Sequence, residues 1–180
     1  FYGCTMIESL TLNEGITTIY DKAFYNCTAL KSIILPSSVT GLGSYAFYEC
    51  SNMASITLSN LTKINDYTFK DCSSLDGVVL PETLTEIGNY AFIGCVGLTS
   101  ITIPNTVTNI GQSAFSGCTG ITEFTLPNGL QTIGQEAFKN MQLHSVVVPN
   151  SVPSIGTGAF QGCPLESITL PFDGGSRPTS

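Results

Sequence analysis

Seven cysteines, one histidine and a few carboxylate pairs are the side chains of this 180-residue sequence with types suited to chemistry. Cys4, Cys27, Cys50, Cys72, Cys95, Cys118 and Cys163 each lie three residues after a phenylalanine. A metal site needs ligands that converge to about 2.3 Å from one ion. Side chains repeated at a fixed period form a parallel row that does not converge, so neither a metal nor another cofactor is expected. The count is odd, and the remaining position of the column holds Met141, which fills space and cannot bond. This favours a ladder of reduced, buried thiols. Neighbouring rungs would still place their Cα atoms about 5 Å apart, within disulfide range, so a bridge between adjacent rungs is the alternative.

His144 is the only histidine, and a general base needs a positioned partner. Its neighbour Ser145 would point to the other side of a strand, so His144 reads as an exposed strand residue. Asp66 with Asp71, and Glu82 with Glu86, flank turns and read as solvated loop charges rather than acid–base pairs. No phosphate-loop, EF-hand or His-Glu-x-x-His pattern occurs. No enzyme is expected. Asn26 and Asn60 match the glycosylation sequon, at a frequency near chance for so many Asn and Thr.

The elements that would position these residues follow from an internal repeat. Phenylalanine recurs at 24, 47, 69, 92, 115, 138 and 160, at steps of 22 or 23, and Phe1 fits the same column. The unit from Ala91 to Ser113 shows the pattern most clearly. Eight of its columns are apolar, too few to form a core alone, so each unit must stack on its neighbours in a solenoid. Leu-x-x-Ile-x-Leu segments (30–35, 75–80, 98–103, 121–126) end with the period-2 pattern of a half-buried strand, mostly stopped by Pro. A second apolar step, as in 107–111, fits a strand of two or three residues. Each Ala-Phe-x-x-Cys then calls for a helical or 3₁₀ turn. Residues 1–172 are therefore read as one solenoid of about seven full repeats plus a partial one, and 173–180 as a flexible tail or linker. The chain opens on Phe1 inside a unit, without initiator Met or signal peptide, and reads as a mature or excised fragment.

Composition agrees with that architecture. Charged residues make up 11% of the chain, against about a quarter in ordinary soluble domains. Six Lys plus Arg against thirteen Asp plus Glu give a net charge of −7 and no basic stripe for nucleic acid. The longest apolar runs are only three or four residues, against about 20 needed to span a bilayer, so no membrane insertion is expected.

The unit Ala-Phe-x-x-Cys-x-x-Leu-x-Ser-Ile-x-Leu-Pro-x-x-Val-x-x-Ile-Gly, recurring in register, resembles the BspA-like leucine-rich-repeat family of cell-surface proteins. The resemblance implies a leucine-rich-repeat solenoid, mostly β, with one strand of a parallel sheet per repeat. It also implies an extracellular, secreted or surface-attached binding module for protein partners, with adhesion to host matrix or other cells as a role. A glycan ligand is a further option, and a structural spacer presenting another domain is the alternative.

Two surfaces could meet a partner. The sheet face carries Thr11, Ile34, Thr57, Val79, Thr102, Thr125, Val147 and Thr169, and lacks the aromatic and Arg anchors typical of protein interfaces. The seven tyrosines all lie between Tyr2 and Tyr90, in columns directly after, two before or four before the repeat Phe. Stacking predicts a contiguous patch of Tyr25, Tyr45, Tyr48, Tyr67 and Tyr90 on the turn side, as the candidate partner-binding site.

Overall fold

The computed structural model describes residues 1–171; the tail expected at 173–180 lies outside the described residues. The first half of the chain forms β1 (Ser9–Thr11), β2 (Thr18–Ile19), β3 (Ser32–Ile34), β4 (Gly41–Leu42), β5 (Ser55–Thr57) and β6 (Lys63–Ile64). The second half adds β7 (Gly77–Val79), β8 (Glu86–Ile87), β9 (Asn109–Ile110), β10 (Thr132–Ile133), β11 (Ser145–Val147) and β12 (Ser167–Thr169). All pairings are parallel, and each joins equivalent residues of adjacent units, as in Ser9 to Ser32 to Ser55 to Gly77. The result is the expected solenoid. Its three-residue strands form β1-β3-β5-β7 and β11-β12, and its two-residue strands form β2-β4 and β6-β8-β9-β10.

The core is the stack of apolar columns. Phe24, Phe47, Phe69, Phe92, Phe115 and Phe138 are buried and stack nearly parallel, with centroids 5.1 to 5.9 Å apart. Beside them run the buried ladders Ala91–Ala114–Ala137, Leu75–Leu98–Ile121 and Ile87–Ile110–Ile133. The coils touch most tightly at the glycine after the second strand. A Cβ built on Gly111 would lie 2.7 Å from the Asn89 amide nitrogen, so a larger residue there would have to displace the backbone of the preceding coil.

Two expectations are corrected. No helix occurs among the described residues, and each Ala-Phe-x-x-Cys turn is a chain of linked β-turns. The amides of Ala23, Tyr25 and Cys27 donate to carbonyls three residues back, each at 3.2 Å. The alternating amides of Lys22, Phe24 and Asn26 instead donate to Ser44, Ala46 and Tyr48 of the next coil, at 2.9, 2.8 and 2.7 Å. A helix would keep every donor within its own segment. Here inter-coil bonding takes every second donor and holds Lys22 and Asn26 at φ of 59° and 55°. The left-handed region costs a non-glycine residue roughly 1 to 2 kcal/mol, which the inter-coil bonds offset.

The second correction concerns the strands expected within 98–103 and 121–126. Neither segment forms a strand, and the three-residue ladder is interrupted between β7 and β11. The physical reason is Phe124. Its column holds Ile33, Ile56, Val78, Ile101 and Val146 elsewhere, so its ring adds volume to a packed layer, which displaces backbone. The ring wedges at a steep angle against Phe115 and Phe138, with centroids 5.2 and 5.0 Å away.

Candidate functional site

The cysteine column resolves into a regular arrangement that spacing alone did not disclose. The thiols of Cys27, Cys50, Cys72, Cys95, Cys118 and Cys163 donate to the carbonyls of Phe1, Phe24, Phe47, Phe69, Phe92 and Phe138, at 3.0 or 3.1 Å. Each carbonyl belongs to the preceding coil. All seven cysteines are free, and the five from Cys27 to Cys118 are buried. Burial pushes the Cys50 and Cys118 thiols up to about 12 and those of Cys72 and Cys95 well above the ordinary range. A protonated, buried thiol is a poor nucleophile and a poor metal ligand, so the column works as a hydrogen-bonding rung within the core. At Met141 the rung is missing, and Phe115 keeps only the Cys118 amide as donor.

Most of the other chemistry-bearing side chains bond to a neighbouring coil, although Asp71 pairs within its own. Asp66 accepts the Asn89 amide at 2.8 Å, and Asp71 pairs with Lys70 at 2.6 Å. Glu86 pairs with Lys63 of the preceding coil at 2.9 Å. His144 is exposed, with Nδ1 3.6 Å from a Glu166 carboxylate oxygen. Asn60 donates its side-chain amide to the Ser37 carbonyl at 2.7 Å, and Asn26 occupies a left-handed turn position. Among the described residues no three His, Cys, Asp or Glu side chains gather around a common point, and no helix is long and apolar enough to cross a membrane.

The tyrosines fall into two stacked rows on the turn side. Tyr2, Tyr25 and Tyr48 stack at 4.8 and 4.6 Å, while Tyr45, Tyr67 and Tyr90 stack at 4.6 Å per step. The rows meet where Tyr45 and Tyr48 lie 5.8 Å apart, tilted at 43°. Lys22 sits 5.5 Å from the centre of the Tyr45 ring and Lys70 5.3 Å from that of Tyr48, within cation–π range. Tyr25, Tyr45, Tyr48, Tyr67 and Tyr90 are all half-buried, whereas Tyr20 stands apart in solvent. Desolvation first, and neighbouring phenols second, push the Tyr25 and Tyr67 hydroxyls up, so they stay protonated. Tyr25 and Tyr67 are stacked on both ring faces, whereas Tyr2 and Tyr90 end their rows with a ring on one face only.

The sequence matches the family described as the BspA type leucine rich repeat region, in six copies, over residues 1–122 and 108–174. No curated protein matches the chain. Among solved structures, a leucine-rich repeat protein of Bacteroides ovatus ATCC 8483 is 30% identical with a TM-score of 0.86, over 91% of this chain and 45% of that one. The leucine rich repeat protein of T. pallidum is 32% identical with a TM-score of 0.64, over 91% and 70%. A leucine rich cell surface protein of Faecalibacterium prausnitzii A2-165 shares the fold at 23% identity and a TM-score of 0.64, over 98% and 62%. The chain thus spans less than half the length of the Bacteroides ovatus protein.

Proposed function

Because the chain belongs to the BspA-type leucine-rich-repeat family, whose members are interaction scaffolds, we propose that it is a cell-surface binding module that holds a protein partner. The observation that carries this reading is the junction of the two tyrosine rows at Tyr45 and Tyr48. Tyrosine offers a large, rigid contact area with a polar tip, and such side chains dominate the energy of protein interfaces. Two cations are already fixed beside the rings, so the stripe is ordered before a partner arrives. The description of the Faecalibacterium prausnitzii relative as a cell surface protein supports an extracellular site, and adhesion to host matrix or to other cells is the role we assign.

The test is binding to intact bacterial cells and to a panel of purified extracellular-matrix proteins. Replacing Tyr45, Tyr67 and Tyr90 together by Ala should weaken binding by about thirtyfold or more, the scale of one hot-spot residue of 2 kcal/mol. The same three positions changed to Phe keep the stacked rows and remove the hydroxyls, which separates lost contact from lost stability. Unchanged binding by the Ala variant at unchanged melting temperature would refute the assignment.

A further inference from the structure

The interrupted strand ladder leaves main-chain groups without partners. At three successive junctions, from 76–80 to 99–103, from 99–103 to 122–126 and from 122–126 to 144–148, no backbone-to-backbone hydrogen bond crosses the strand side among the described residues, and at the first the Thr99 amide and hydroxyl donate instead to the Asp76 carboxylate, at 3.4 and 2.6 Å. Elsewhere the strand side is bonded, as where Asp76 donates to Ala54 at 2.9 Å and Glu166 to His144 at 2.8 Å. The amides of residues 100–103 and 123–126 have no protein acceptor.

An opening lies at each of these junctions. The central one, of about 650 Å³, lies between Ser100–Ile103 and Thr122–Leu126. It is flanked by openings of about 370 and 380 Å³ toward β7 and β11. The coils remain in contact on both sides of the central gap. A Cβ on Gly120 would lie 2.6 Å from the Leu98 carbonyl oxygen, and one on Gly129 equally close to that of Asn105. The separation is therefore local to the strand segment, as Phe124 dictates, and its size falls in the range of binding cavities.

We propose that this break is a docking site for an extended peptide segment, held by main-chain hydrogen bonds to residues 100–103 and 123–126. Unpaired strand amides and carbonyls are a template for another strand, and pairing with an added strand is an established route to peptide recognition. The rim selects the side chains of the guest. Glu82 and Glu123 contribute carboxylates to the three openings, beside Asp76, which is already held by Thr99, and no Lys or Arg lines any of them. The surrounding outward residues are Ser100, Thr102, Thr122 and Thr125. The fitting occupant is a peptide of small or β-branched residues flanked by lysine or arginine. The site shares no residue with the tyrosine rows, so either can fail without the other.

The test is amide hydrogen exchange on the whole chain, with a synthetic Lys-Thr-Val-Thr-Val-Lys peptide as probe. In the free protein, amides of 100–103 and 123–126 should exchange at least tenfold faster than those of 32–34 and 55–57. Equal protection would show the ladder closed and overturn the proposal. Saturating peptide should slow the exposed amides at least tenfold, while a version with alternate backbone nitrogens methylated should not. No slowing, or equal slowing by the methylated peptide, would overturn it. Phe124→Ile restores the column residue of the other coils and should protect both segments and abolish the peptide effect. Retained peptide protection in that variant would also refute the proposal.

Discussion

Raising the pH attacks the thiol column directly. The buried thiols of Cys50 and Cys118 are pushed from the ordinary 9.0 to about 12, and those of Cys72 and Cys95 lie higher than normal for the same reason. Their folded pKa values therefore exceed the unfolded ones, so their contribution to stability is fully present below pH 9 and is lost as pH climbs toward 12. In that window the unfolded chain has released each proton and the folded chain has not. Stability then falls by about 1.4 kcal/mol per pH unit for each thiol, or about 5 kcal/mol per unit for the four. A domain stable by about 5 to 15 kcal/mol would unfold within one to three units above pH 9. Urea unfolding followed by circular dichroism at pH 8, 9.5 and 10.5, with reductant present, measures the slope. Cys95→Met, which copies the side chain at Met141, should reduce the slope by about a quarter. A stability that stays flat from pH 8.5 to 10.5, or a variant slope equal to that of the parent, would refute the reasoning.

Two further outcomes follow from the packing. At pH 8 a thiol with a pKa of about 12 is about a thousandfold less ionised than one at 9, so a thiol reagent should label only Cys4 and Cys163 quickly in the native protein, and all seven after denaturation. Mass spectrometry of the labelled peptides would expose an error if Cys72 or Cys95 reacted as fast as Cys163. Gly111→Ala should cost about 3 kcal/mol, the upper range for overpacking, because its Cβ meets the backbone of the preceding coil. Gly41→Ala meets only the Thr18 side chain, at 3.2 Å, and should cost less than about 1 kcal/mol. Similar melting temperatures for the two variants would contradict the close-contact account.

The fold was legible because a solenoid writes its geometry into spacing. Phe24 to Phe160 mark the coil length, and Ala91, Phe92, Cys95, Leu98, Val107 and Ile110 of the central unit are all buried as the pattern predicts, with exposure confined to the end coils, as at Phe1, Ile16 and Ile155. The turns were legible only in part: two residues after the repeat Phe, Gly3, Asn26, Asp71, Gly94, Gly117, Asn140 and Gly162 are types that favour the left-handed region, whereas Lys22, Tyr45 and Glu49 hold it without such a signal. Inter-coil hydrogen bonds dictate those conformations at Lys22, Tyr45 and Glu49, where residue type carries no mark of them. The thiol donors were equally hidden, because a Phe carbonyl one coil earlier has no signature at the cysteine itself. Phe124 did leave a signal: it is the only aromatic in a column of Ile, Leu and Val, and a volume comparison down that column marks the broken ladder. The tyrosine columns were visible by position, but their division into two rows meeting at Tyr45 and Tyr48 depends on ring orientation.

The linked turns also have a mechanical consequence. Every second amide of each turn points along the solenoid axis to the next coil, so a load on the chain ends meets one coil's bonds at a time. Detaching a 23-residue coil frees about 75 to 80 Å of contour, in exchange for about 5 Å of axial length. Under tension the protein would lengthen by peeling one coil at a time from an end, while the remaining coils keep their shape. A tether built this way absorbs shear in large, discrete extensions.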